Sequence, residues 1–296
     1  MVKTVCLVCS GLLSVVLFGQ VKKQFSVESK EKCDKVELCI KSKTGNCFIR
    51  PSQNAEVLNV YSNQDLENYA HSLTNEVKNK ICMINLLLKQ EPKRGVGEKI
   101  SYQVLGNEPN NPVDKFWKIY LTESKPYSLD LTYGLGSANV DLSGLAIQRL
   151  KINTASADVN VSYTEGLENK VDMDTFYVKV DMGSLSVKNL NLSRSKVILA
   201  EVGFGNILLD FSYKPLVRYR VIGSVGAGNM TILMPPNEIP VLVRINESWL
   251  CSINLPKTLK KISANTFANI SYSQNPKETI TFDLDVSMGK ITFKEK

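Results

Sequence analysis

One short pattern recurs through the chain and constrains its fold more than any other feature: apolar and polar residues alternate, the alternation breaks at glycine or a small residue, and then it resumes. Leu129, Leu131 and Tyr133 run into a break at 134–139, and Val140 and Leu142 follow. Leu150 and Ile152 lead to Val159 and Val161, and Phe176, Val178 and Val180 lead through Gly183 to Leu185 and Val187. Ile198, Ala200 and Val202 lead through Gly203–Asn206 to Ile207 and Leu209, and Tyr219, Val221 and Val225 lead through Gly226–Asn229 to Met230 and Ile232. The last copy breaks at Gly289–Lys290, between Met288 and Ile291. Counted from the first apolar residue after each break (140, 159, 185, 207, 230), the intervals are 19, 26, 22 and 23. They average about 22, a spacing found in solenoid repeats.

Alternation at period two sends successive side chains to opposite faces of a strand. Several breaks share a spelling, Gly45-Asn46, Gly205-Asn206 and Gly228-Asn229, and glycine adopts positive φ without steric cost. Each break is therefore expected to be a corner turning the chain from one strand into the next. Equivalent apolar residues then stack in columns, as Asn does along the corner. The fold class expected is all-β, a solenoid-like, β-helix-like stack of strand–turn–strand coils. The alternative is a β-sandwich in which the same breaks are hairpin turns. Cys47 occupies the place of Ile207 and Met230 and should point inward, with Cys39 facing the other way.

Residues 1–20 read as a signal peptide: Lys3, an apolar run Val5–Phe18, then Gly19 and Gln20. Such a run is short for a membrane span, which needs about 20 apolar residues. Residues 21–124 form an N-terminal β region with a loop insertion over Glu91–Asp114 and a short helix over Asp65–Val77, capped by Asn63. Residues 125–296 form the β-repeat domain, continuous with that region. Pro235–Pro240 reads as a turn and Leu255–Ala264 as an irregular connection.

Export makes disulfides possible. Beyond residue 20 the cysteines are Cys33, Cys39, Cys47, Cys82 and Cys251; an odd number leaves at least one unpaired, and their pairing is open. Cys33 and Cys39 are close enough in sequence to bridge. His71 is the single histidine, and no Cys-x-x-Cys pair follows residue 20, which argues against zinc. The net charge of +7 is scattered over the chain and forms no nucleic-acid module. Candidate carboxylates are Asp172, Asp174 and Asp181, near Lys170 and Lys179. Asp172 and Asp174 could share a strand face and offer oxygen ligands to calcium, but an outward polar face is the plainer reading. Asp141, Asp158 and Asp210 sit at breaks, where turns use Asp. Gly134-x-Gly136 and Gly203-x-Gly205 lack the following helix of a dinucleotide site. No catalytic, cofactor-binding or metal residue is assigned, and no cofactor is expected.

Pro126–Leu131 with Gly134-Leu135-Gly136, Val140–Leu145 and Leu150–Ile152 resemble the adhesin or toast-rack domains of bacterial envelope proteins, a group that includes the extracytoplasmic domain of cell-wall-active antibiotic response proteins. Val225–Pro235 followed by Val241–Val243 resembles its closing repeats. The resemblance covers about residues 125–245 well and the N-terminal third loosely. It implies a non-enzymatic β-helix-like domain, periplasmic or at the cell surface, that binds a glycan or another envelope component. The alternatives are an envelope-stress sensor domain and a polysaccharide-active enzyme. Intact-mass measurement on protein from the cell envelope should show the loss of 19 or 20 residues; a full-length mass would contradict export by cleavage.

Overall fold

A computed structural model of the chain describes residues 21–28, 33–63, 69–92, 116–274, 277 and 279–295. The signal-peptide reading and nearly all of the Glu91–Asp114 insertion lie outside them. The N-terminal strands are β1 (Lys22–Val27), β2 (Lys35–Ser42), β3 (Asn46–Ser52), β4 (Leu58–Ser62), β5 (Tyr69–Lys78), β6 (Ile81–Pro92) and β7 (Phe116–Thr122). The repeats supply β8 (Pro126–Tyr133), β9 (Ser137–Asp141), β10 (Ala146–Thr154), β11 (Asp158–Ser162), β12 (Met173–Val180), β13 (Ser184–Lys188), β14 (Ser195–Val202), β15 (Asn206–Asp210), β16 (Arg220–Val225) and β17 (Asn229–Leu233). The chain closes with β18 (Val241–Glu247), β19 (Ser252–Asn254), β20 (Lys260–Ser263), β21 (Thr266–Ala268), a one-turn helix (Ile270–Gln274), β22 (Ile280–Val286) and β23 (Lys290–Lys294).

Two long sheets face each other. One runs β1-β4-β7-β3-β9-β11-β13-β15-β17-β23-β19 and the other β20-β21-β18-β22-β16-β14-β12-β10-β8-β2-β6-β5. Each coil gives one strand to each sheet, and consecutive coils pair in parallel: Ile207 opposes Met230 and Leu209 opposes Ile232. This is the coil and not the hairpin sandwich. One inner column runs Ile84, Leu38, Leu129, Leu150, Phe176, Ile198, Val221, Phe282, Val243, all buried. Burying each such side chain stabilises by about 1.5–3 kcal/mol, so one column is a large share of the folding drive. Cys47 is buried in the neighbouring column, opposite Trp117 and Ala138, and Cys39 faces outward.

The coils do not stack in chain order. β22 and β23, the last in sequence, insert between β16/β17 and β18/β19. Antiparallel strands close both ends of the stack. β1 and β4 add to β7, β5 adds to β6, and the β20–β21 hairpin adds to β18.

Three expectations need correction. The stretch read as a helix is strand β5 from Tyr69 onward, paired with β6 through a turn at Asn79 and Lys80, both at positive φ. That two-residue left-handed turn suits the twist of a hairpin. Asn63 does not cap a helix; its side-chain oxygen accepts the Phe116 N–H at 3.1 Å. Cys33 bridges to Cys82, not Cys39, with Cα atoms 5.6 Å apart across the neighbouring β2 and β6. Finally, part of the Leu255–Ala264 connection is regular: Lys260–Ser263 is β20, paired with β21. Pro235–Pro240 is a turn, closed by Ile239 N–H to Pro236 C=O at 2.9 Å.

The reason for glycine at the corners also differs from the expected one. Gly45 and Gly136 do have positive φ, at 99° and 105°. Gly205 and Gly228 do not. There the coils approach so closely that a Cβ on Gly205 would overlap the Gly183 carbonyl and come within 2.6 Å of Val180 Cγ1. A Cβ on Gly228 would overlap the Gly205 carbonyl in the same way. Gly166 gives the opposite case, with φ 77° and nothing within 4 Å of its Cβ position.

Replacement by Asn separates the two causes. Gly205→Asn or Gly228→Asn should destabilise by about 1–3 kcal/mol or more, because backbone must move. Gly166→Asn should cost a few tenths of a kcal/mol at most, because Asn tolerates the left-handed region. Chemical denaturation of the three variants checks this, and equal effects would refute the close-packing account.

Candidate binding surface

Each of the carboxylates that could have formed an acid pair has a basic partner. Asp172 accepts two hydrogen bonds from Arg194, at 2.7 and 3.0 Å. Asp174 lies 3.8 Å from Lys196 and Asp181 3.6 Å from Lys179, while Lys170 pairs with Glu123 at 2.8 Å. Asp172 and Asp174 are both exposed, with buried Met173 between them, so they belong to an outward polar face. Asp141 and Asp210 close turns onto the N–H groups of Ser143 and Ser212, at 3.0 and 2.9 Å. Asp158 accepts the Ser184 hydroxyl in the next coil. Among the described residues no three metal-binding side chains gather. His71 lies on β5, its ring 5.1 Å from that of Phe25.

Of the free cysteines, Cys39 lies in a shallow groove of about 260 Å³ on the outer face, with Glu37, Asp130, Arg149 and Lys151. Partial burial, and then the Asp130 charge, push its thiol pKa up. Burial pushes Cys47 up to about 12. Both are held as thiols, whereas a nucleophilic cysteine needs the thiolate. The strongest charge cluster is on the same outer sheet face. Asp283 lies between Arg220, at 2.7 Å, and Arg244, at 2.9 Å. Burial raises its carboxyl, but the hydrogen bonds from Arg244 and Arg220 outweigh burial and hold it below its ordinary value.

Polar side chains tie coil to coil at two places. At the corner, Asn229 donates to Asn206 at 2.8 Å, the expected Asn-on-Asn contact, and at the Asn46 corner the partner is Ser137, which donates to Asn46 at 2.8 Å. On the opposite side, where the chain returns, buried asparagines clasp the backbone. Asn169 accepts from Ile147 N–H and donates to Ile147 C=O, both at 2.7 Å, and Asn189 donates to Tyr163 C=O at 2.7 Å. Nothing in the alternation pattern marks these asparagines.

The corner has a second property that the pattern does not express. Each corner donates several backbone hydrogen bonds to the corner of an adjacent coil, among them Leu135 to Lys43, Ser156 to Gly134, Met182 to Ala155, Phe204 to Asp181, Ala227 to Gly203, and Met288 to Gly226. These residues fall one per coil, with Ser156 between Leu135 and Met182 and Ala227 between Phe204 and Met288. Trp249 continues the series, one residue beyond Ser248, which donates to Val286. Leu135, Met182 and Met288 are more than half exposed, Phe204 is 74% exposed and Trp249 90%. With strands about 4.8 Å apart, six coil steps from Leu135 to Trp249 make an apolar ridge about 29 Å long.

A third feature lies on the other sheet, near the N-terminal end. Tyr61 and Tyr120 meet edge to face, with ring centroids 5.7 Å apart. With Lys118, Asn54, Ser52, Pro51 and Val21 they line a groove of about 380 Å³.

Residues 18–183, more than half of the chain, match the model of the N-terminal domain of toast_rack, DUF2154. The chain belongs to the toast-rack family. The match takes in the N-terminal third, which the sequence resemblance reached only loosely, and it stops at Gly183, where that resemblance had run on to about residue 245. No curated protein matches the chain. Among solved structures, it is similar to a "putative cell adhesion protein" from Clostridium sporogenes, 16% identical over 94% of this chain and all of that one, TM-score 0.42. It is also similar to a "putative adhesin" from Bacteroides fragilis, 12% identical over 93% and 97% of the two chains, TM-score 0.35. A "putative lipid binding protein" from Parabacteroides distasonis is 14% identical over 93% and 96%, TM-score 0.36.

Proposed function

We propose that this chain is an exported, non-catalytic envelope protein that docks another envelope protein along the corner ridge. The single observation that carries this reading is the file of exposed Leu135, Met182, Phe204, Met288 and Trp249. Large aromatic side chains and Met are the residue types enriched at protein interfaces, and a partner groove that covered the ridge would bury them together. Rigid two-sheet walls fix their spacing, so little ordering would be lost on docking. Export is supported by the pattern of residues 1–20 and by the Cys33–Cys82 bridge, which suits an oxidising compartment. The non-catalytic part is supported by the pairing of Asp172, Asp174 and Asp181 with Arg194, Lys196 and Lys179, and by the suppressed thiolates. No helix among the described residues is long and apolar enough to cross a membrane.

A second reading has its own observation. The Tyr61–Tyr120 groove offers ring faces, an ammonium and an amide together, a combination that suits a sugar, and glycan binding there would also fit an adhesin.

Photo-crosslinking in the envelope separates the two. A photoreactive residue at 204 or 249 should yield a discrete protein adduct, and one at exposed Lys179 should not. Phe204→Ser with Trp249→Ser should remove the adduct at 182 without lowering Tm. Equal labelling at 179 and 204, or none at the ridge, would refute protein docking there. Glycan-array binding that disappears with Tyr120→Ala would establish the second reading instead.

A further inference from the structure

Two more exposed apolar side chains gather at the C-terminal end of the stack, away from the ridge. Ile262 on β20 is 54% exposed and Ile270, which opens the one-turn helix, is 71% exposed. Between the β20–β21 hairpin, that helix and the turn at 237 lies a pocket of about 510 Å³. Its walls are Ile262, Ala268, Ile270 and the Tyr272 ring, and Lys257 and Lys260 also line it. Ile262 is the residue at which the β20–β21 pairing skips, between Lys261 and Ser263, and both it and Lys260 line the pocket. The volume lies within the roughly 300–1,000 Å³ of small-molecule pockets.

The polar groups in this wall are mostly spent. The Asn269 side chain accepts from Val241 N–H and Tyr272 N–H and donates to Ile239 C=O and Asn237 C=O. Ser273 donates to Ile270 C=O at 2.7 Å, and Thr258 donates to Glu295. Lys257 and Lys260 make no ion pair among the described residues. What the pocket offers a ligand is an apolar enclosure with two ammonium groups in its wall.

We propose that this pocket binds a free long-chain fatty acid, with the alkyl chain against Ile262, Ile270 and Tyr272 and the carboxylate at Lys257 and Lys260. The complementarity has two parts. Each buried methylene gains affinity independently of the head group, and only an anionic head group uses the lysines. Neutral polar ligands such as sugars find few unspent hydrogen-bonding groups there. The site is distinct from the corner ridge and from the tyrosine groove, and its test does not depend on either.

Calorimetric titration of the full mature protein with the even-numbered carboxylates from octanoate to tetradecanoate, below their micellar concentrations, tests this. One site should appear, with affinity rising about fourfold per methylene until the pocket is filled. Ile270→Asp and Ile262→Asp, both at exposed positions, should weaken binding at least tenfold with unchanged Tm. Lys257→Gln with Lys260→Gln should weaken decanoate severalfold and leave decanol unaffected. Phosphatidylglycerol vesicles should not retain the protein through Ile270. The proposal is overturned by an absence of saturable binding, by affinity independent of chain length, or by binding that survives both Asp variants. Equal loss of decanoate and decanol in the lysine variant would overturn the carboxylate assignment. Vesicle retention abolished by Ile270→Asp would make the occupant a bilayer and refute the free fatty acid.

Discussion

The contact on which the rest of the structure depends is the approach of one backbone corner to the next. At Gly205 and Gly228 there is no room for even a methyl group over the carbonyl of the preceding coil. That closeness lets Phe204 and Ala227 donate to Asp181 and Gly203, at 2.7 and 2.8 Å, and so continues the hydrogen-bond ladder around the bend from one sheet to the other. A buried backbone group left without a partner costs about as much as a lost hydrogen bond, and a bend between parallel strands is where such groups would be stranded. With the corners stacked, both sheets keep a common spacing, and the apolar columns between them follow.

Much of this was legible in the sequence, because period-two alternation depends only on strand geometry. It placed Cys47 inward with Ile207 and Met230, and it separated the inner columns from the polar outer faces. The cause of the corner glycines was not legible, since positive φ and close approach leave the same spelling. Coil order was hidden as well. Each coil presents similar apolar columns and the same backbone ladder, so β22/β23 can fit beside β16/β17 as well as the next coil in sequence does. The helix assigned over 65–77 failed because it rested on the spacing of Leu66, Tyr69, Ala70 and Leu73, and a step of four, as from Tyr69 to Leu73, satisfies a helical stripe and an alternate strand face equally. The pairing with β6 decides between them, and it lies beyond any local pattern.

The ridge was missed for a related reason. Phe204 lies between Gly203 and Gly205, Met182 precedes Gly183, and Trp249 lies in a turn; in sequence each is part of a spacer. Only stacking brings them into line, one side chain per coil. The corners thus line up one residue per coil, exposed and apolar at Leu135, Met182, Phe204 and Met288, next to the polar contacts of Asn206 with Asn229 and of Asn46 with Ser137. The ends are different again. Antiparallel strands close them, and at the C-terminal end the closure leaves an apolar recess beside unpaired lysines. Along the outer faces of the stack, carboxylates pair with cations, as Asp172 does with Arg194 and Asp283 with Arg220 and Arg244.

The central claim is the parallel stacking of successive coils, and an engineered disulfide tests it most directly. With Cys39, Cys47 and Cys251 replaced by alanine, cysteines at positions 207 and 230 lie directly opposite one another on β15 and β17, within the roughly 4.4–6.8 Å Cα separation that a disulfide requires. The account predicts that this pair closes under mild oxidation in the native protein, and that a pair at 202 and 207, on either side of one corner, does not. Closure of 202–207 with failure of 207–230 would contradict it and replace the stack of coils by a sandwich of hairpins.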